Sequence, residues 1–291
     1  MIDNTVPQFS ELAAPPKRIV CLTEETVEVL YLLGEEERVV GVSGFACRPK
    51  EVRRKPRVSA FTSAKIDKIL ELRPDLVIGF SNLQAEIARD LIRAGVNTLV
   101  FNQRSVVEIF EMILTLARIV GAEPAGLKLV VELRGGLERV AQSARRFPCR
   151  PRVYFEEWME PLISGIRWVE ELIEIAGGET IFPQLRYEHD AARRIVEARD
   201  VAAAKPDVII ASWCGRKVNK ETIRSRAGWQ TIPAVRDGRI YEIKSTYILQ
   251  PGPAALSEGL LQLHAILAQA AGVDPSEALR PTERMDADMK L

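Results

Sequence analysis

Apolar and polar positions along this chain alternate between two periods. Short apolar runs rich in β-branched residues read as strands: Arg18-Ile19-Val20-Cys21-Leu22, Val39-Val40-Gly41-Val42, Leu76-Val77-Ile78, Thr98-Leu99-Val100-Phe101, Arg152-Val153-Tyr154-Phe155, Val208-Ile209-Ile210 and Ile240-Tyr241-Glu242-Ile243. Between them lie stretches with apolar residues three or four apart, which read as helices: Thr26 to Leu33, residues 64–73, Ala85 to Ala94, Trp168 to Ala176 and Ala255 to Ala271. Gly34, Gly95 and Gly177-Gly178 stop three of these, and Thr23 is placed to cap the first. Strands alternating with helices predict mostly parallel sheets.

One phrase occurs twice, Leu72-Arg73-Pro74-Asp75-Leu76-Val77-Ile78 and Ala204-Lys205-Pro206-Asp207-Val208-Ile209-Ile210. In each copy a helix ends before a proline, which cannot continue it, and an aspartate precedes a buried strand. The repeat predicts one architectural unit used twice. Each copy opens into a loop, Gly79-Phe80-Ser81-Asn82 or Ser212-Trp213-Cys214-Gly215, and ligands of open α/β sheets bind beyond the carboxyl ends of strands.

The middle of the chain breaks the rhythm. Ser105 and Glu108 form a capping box, opening a helix that runs to Gly121, and Pro124 suits the first turn of a longer helix containing Gly135-Gly136. The expected organisation is an N-terminal α/β lobe over 17–122, a bridging helix over 123–148, a C-terminal α/β lobe over 149–272 and a tail over 273–291. A leader punctuated by prolines ends near Pro16.

Composition narrows the function classes. Forty basic and forty acidic residues balance, and no segment concentrates lysine and arginine as a nucleic-acid or membrane surface does. The clusters Arg53-Arg54-Lys55 and Arg193-Arg194 read as solvated surface. No apolar stretch approaches the ~20 residues that span a bilayer. The N-terminus lacks a basic start with an apolar core, so the expected location is cytoplasmic, or periplasmic if an export signal has been trimmed. Cys21, Cys47, Cys149 and Cys214 are widely spaced and give no disulfide framework. His189 and His264 are too few for a direct metal site. No nucleophile motif or phosphate-cradling glycine loop appears, so no catalytic residue is assigned and the chain is not expected to be an enzyme.

The order of these pieces resembles the substrate-binding proteins of ABC importers for cobalamin and iron-siderophores, the class whose two lobes are joined by a helix. Arg18 to Thr23, Leu33-Gly34, Val39 to Ser43, the first Pro-Asp phrase, Ser164-Gly165, Ala176 to Phe182 and Pro251-Gly252-Pro253 carry the likeness. It implies two Rossmann-like lobes with mostly parallel sheets and a ligand held between them. Carried over by position, it places Glu24, Glu25, Phe45, Arg48, Phe80 and Asn82 on one wall, and Trp158, Arg167, Trp168, Trp213 and Tyr247 on the other. Aromatic faces suit a corrin or catecholate, and arginine pairs with anionic groups of a chelate. Against that, packing in the core explains aromatics equally well, for Trp168 and Trp229 better, and His264 reads as a core residue. Glu156 and Glu157, beside Trp158, suit either a cation or a solvated face.

No intrinsic cofactor is implied; the ligand expected from the resemblance is cobalamin or cobinamide, a ferric siderophore, or another planar or chelated molecule. Family members dock to a permease through an acidic residue upstream of each Pro-Asp phrase. Asp67 fills the first place, but Arg199 fills the second, with Asp200 adjacent as the substitute. The competing readings are a two-lobed chelatase or nitrogenase-like enzyme component and a regulatory or scaffolding protein.

Overall fold

A computed structural model describes residues 14–274; the leader up to residue 13 and the tail from residue 275 lie outside the described residues. In chain order the strands and helices are β1 (Ile19–Cys21), α1 (Glu24–Leu32), β2 (Val39–Ser43), β3 (Arg57–Ser59), α2 (Ile66–Glu71), β4 (Leu76–Phe80), α3 (Ala85–Arg93), β5 (Thr98–Phe101), α4 (Val106–Val120) and α5 (Glu123–Ala144). They continue with β6 (Arg152–Met159), β7 (Leu162–Ser164), α6 (Arg167–Ile175), β8 (Glu179–Thr180), α7 (Ala198–Ala204), β9 (Val208–Ala211), α8 (Lys220–Arg224), α9 (Pro233–Arg236), β10 (Ile240–Glu242), α10 (Ser245–Ile248) and α11 (Leu260–Ala270).

Two compact units form. One holds the residues up to Gln103 with Phe110–Val130, the other Arg104–Ile109 with the residues from Val131 onward. The division falls inside α4 and α5. Residues 123–144 are helical throughout, Gly135 and Gly136 included. Within the first unit, Gly126 lets α5 lie against α4: a Cβ there would come 2.4 Å from the Ala117 methyl.

The first unit has a five-stranded sheet in the order β3-β2-β1-β4-β5, parallel throughout. The order reverses direction between β1 and β4, so the crevice beyond their carboxyl ends is the topological switch point. Its core is built from Val20, Leu22, Val58, Ile69, Val77, Ile87 and Leu91.

In the second unit β10, β9 and β6 are parallel neighbours, and β8 also pairs parallel to β6. β7 departs from the expected pattern: the tight turn at Glu160-Pro161 folds it back antiparallel on β6. Tyr154, Trp213, Trp229 and Ile209 pack in its core.

The repeated phrase has one physical meaning in both units. Asp75 accepts the backbone N–H groups of Lys17 (2.7 Å) and Arg18 (2.9 Å) at the entry of β1. Asp207 accepts that of Arg152 (2.9 Å) at the entry of β6. In return the Arg18 guanidinium donates to the Leu72 carbonyl (2.7 Å) after α2, and Arg152 to the Ala204 carbonyl (2.6 Å) ending α7. Orphan carbonyls at each helix end are thus met by the strand the aspartate clamps. The residues before the prolines, Arg73 and Lys205, both take a left-handed turn at φ 47°.

Candidate functional site

The carboxyl ends of the strands carry most of the sequence-predicted residues, and burial sorts them. In the first unit, Glu24 and Glu25 occupy the first turn of α1, directly after β1. Glu24 is half-buried, whereas Glu25 is 1% exposed and sits in the interior. The Thr23 hydroxyl, expected to cap the helix, instead donates to Glu25 Oε1 at 2.6 Å. Glu25 Oε2 has no hydrogen-bond partner among the described residues. Burial pushes the Glu24 carboxyl up to about 7 and that of Glu25 to about 8, the latter helped by the charges of Glu24 and Glu28 and opposed by the Thr23 bond.

After β2, Phe45 is 48% exposed, and half-buried Arg48 donates to Glu28 Oε1 at 3.2 Å. Phe80 departs from the expectation of a loop aromatic. It is the last residue of β4 and 6% exposed, because the outward turn begins only at Ser81. Asn82, next along, is exposed. Gln84, which the sequence reading passed over, holds this turn: its Oε1 accepts the Phe80 N–H (2.9 Å) and its amide donates to the Phe61 carbonyl (2.9 Å). A Cβ on Gly79 would lie 2.8 Å from that Oε1, so glycine is what admits Gln84.

In the second unit Trp213 is 3% exposed and is no wall residue. Its indole N–H donates to Glu156 Oε1 at 3.1 Å, and Glu156, fully buried, also takes a two-pronged bond from Arg226. Burial pushes the Glu156 carboxyl up, against the pull of Arg226. Its neighbour Glu157 is held by both terminal nitrogens of Arg194 (2.6 and 3.1 Å). Both carboxylates therefore already hold an arginine. Arg194 itself is 1% exposed, so the Arg193-Arg194 pair is not solvated surface throughout. Trp168 is likewise interior, bonded through Nε1 to the Ile248 carbonyl (2.9 Å). Trp229 is fully buried, and His264 is a core residue between the Ala176 carbonyl (2.9 Å) and the Ser143 hydroxyl (2.8 Å).

What stays accessible is a smaller set. Trp158 is half-buried near the end of β6, its N–H on the Glu160 carbonyl (3.0 Å) and the Arg216 guanidinium 5.5 Å from its ring centre. Arg167 donates to Glu171 (2.8 Å) and lies 5.2 Å from the ring of Tyr187, which is 66% exposed. Tyr187 and Arg216 were missed; each becomes a candidate only through its partner, 20 and 58 residues away respectively. Tyr247 is half-buried on α10, where the π-helical turn Ala255–Gly259 presses on its backbone: a Cβ on Gly259 would fall 2.3 Å from its carbonyl oxygen. His189 is exposed. So are Asp67 and Asp200, in the first turns of α2 and α7. All four cysteines are free thiols.

Residues 19–247 match the family model described as periplasmic binding protein. The chain belongs to that family. It is 26% identical over 275 residues to an uncharacterized ABC transporter substrate-binding lipoprotein, YvrC, of Bacillus subtilis, covering 90% of this chain and 83% of the relative. It is 22% identical to a vitamin B12-binding protein of Vibrio vulnificus, covering 84% and 88%. Among solved structures, the periplasmic heme-binding protein RhuT from Roseiflexus superposes with a TM-score of 0.77 at 24% identity, covering 88% of this chain and 99% of that one. The fold class expected from the sequence, two α/β units of the periplasmic-binding-protein type, stands, and the family is one of substrate-binding proteins. A cytoplasmic location finds no support in relatives described as periplasmic or lipoprotein. Among the described residues no helix is long and apolar enough to cross a membrane.

Proposed function

We propose that this chain is the non-catalytic substrate-binding component of an ABC importer, working outside the cytoplasmic membrane on a corrinoid or a ferric chelate. The observation that carries this reading is Trp158 under Arg216 at the end of β6. An indole face backed by a guanidinium offers a flat apolar contact and a positive charge together, which a large planar or chelated anion needs. Arg167 on Tyr187 repeats the combination, and Phe45 offers an exposed ring in the first unit. The relatives named for vitamin B12 and heme support the same ligand class. Exposed Asp67 and Asp200 are the residues through which the chain would meet its permease.

The test is titration of the purified chain with cobalamin, cobinamide, heme and a ferric siderophore, followed by tryptophan quenching. Trp168, Trp213 and Trp229, at most 3% exposed, stay in place and report by energy transfer to the coloured ligand, so Trp158 can be replaced without losing the signal. Saturable quenching at micromolar ligand is expected, with Trp158→Ala weakening it about tenfold, the ~1.4 kcal/mol scale of one aromatic contact. Absence of saturable binding by all four would refute the reading, and turnover of any of them would replace it with an enzymatic one.

A further inference from the structure

Among the described residues β5 ends the first sheet, so its outer row of N–H and C=O groups faces away from β4, the arrangement that invites a further strand. The other sheet ends are blunted, β7 by the bridge its Ile163 makes with Ile195. β3 follows Pro56 and starts on exposed Arg57. β10 carries Glu242, which binds the Val218 N–H (3.1 Å), and Lys220 sits 5.7 Å from its Tyr241 ring. β5 reads Thr98-Leu99-Val100-Phe101, with neither charge nor proline. Beside it a hollow of about 680 Å³ exposes mainly the apolar side chains of Val100 and of Ala85, Ala88 and Ile92 of α3, with Ser81, Asn82, Asn102, Arg89 and Arg93 also in its wall. Val100 is 40% and Ile92 63% exposed. An apolar hollow along an unguarded strand edge marks an interaction surface.

The charges on α3 say what fits it. Along the helix they run Glu86, Arg89, Asp90, Arg93. Laid end for end against an identical helix, Glu86 meets Arg93 and Arg89 meets Asp90, opposite signs at every pairing. A parallel copy would set like against like. In the single chain Arg89 makes do with its own Asp90 (2.9 Å) and Glu86, exposed pairs of little worth that can be exchanged. A twofold axis through an antiparallel β5–β5 pair puts both α3 helices on one face and antiparallel, the orientation those charges require.

Directly opposite residues of antiparallel strands share a face. By symmetry the axis must then pass between two copies of one residue, and Val100, in the hollow, is the one whose burial gains most. We propose that two copies of this chain associate through β5, Val100 facing Val100, joining the five strands of each sheet into one continuous sheet.

Sedimentation and light scattering of the full chain, from micromolar to millimolar concentration, should give a dimer mass. Val100→Lys should weaken association at least tenfold while leaving the melting temperature and ligand titration unchanged. Val100→Cys should link two chains under mild oxidation where the wild type, with its own four cysteines, does not, because facing residues lie within about 4.5–5.5 Å at Cα, inside disulfide reach. A single-chain mass throughout the range, or a dimer that neither substitution affects, overturns the proposal.

Discussion

Glu25 holds a proton because nothing else in its surroundings neutralises it: one oxygen is on the Thr23 hydroxyl, the other has no partner among the described residues, and water is excluded. Folding raises the Glu25 carboxyl from 4.5 to about 8 and that of Glu24 to about 7. The native chain therefore keeps protons that the unfolded chain releases. This contribution to stability is full below pH 4.5 and is lost as pH rises through 8. Glu170, lifted to about 7 by burial, adds to the same trend. Glu25→Gln, which cannot ionise, should flatten the fall in melting temperature between pH 4.5 and 8; an unchanged slope would mean that Glu25 ionises freely in the fold. Glu156 is the contrasting case, equally buried but held beside Arg226. Neither fate is visible in the bare letters, since burial and the Arg226 partner are set by the fold.

His264 shows the same physics at the scale of elements, with the opposite sign. Its ring joins three helices of the second unit, bonding Ser143 on α5 and the Ala176 carbonyl at the end of α6 from its place on α11, and stacking on Phe147 at 5.1 Å. Burial holds its pKa below 6.5. The native chain resists a proton that the unfolded chain accepts, so stability present above pH 6.5 is lost as pH falls below it. His264→Leu should remove this acid sensitivity and cost about 1–3 kcal/mol at neutral pH, because the Ser143 and Ala176 groups lose their partner; denaturant melts at both pH values check it. At this scale the sequence was most legible. The seven apolar runs read as strands all fall on observed strands, and the Ser105–Glu108 box forms as written, with bonds of 3.2 and 3.0 Å. β3 and β7 escaped, since three residues are too few to show a period of two.

For the whole molecule, the proposed role makes two surfaces separable: strand ends that take ligand and helix starts that meet a permease. Asp67→Lys with Asp200→Lys should leave the ligand titration unchanged while abolishing capture of the loaded chain by its detergent-solubilised ABC permease; equal capture would show that neither residue docks. The sequence by itself determined the elements and their pairing logic, because hydrophobic period and proline placement are local, and because Asp75 and Asp207 repeat one clamp. Only the tertiary structure decided which aromatics are accessible. Trp213 is interior because Glu156 lies 57 residues away in sequence and Arg226 comes 70 residues after Glu156 to neutralise it; Trp168 is interior because its partner carbonyl is 80 residues on. Burial is a property of neighbours brought together by folding, so identical side chains at look-alike strand ends became core in one place and candidate ligand contact in another.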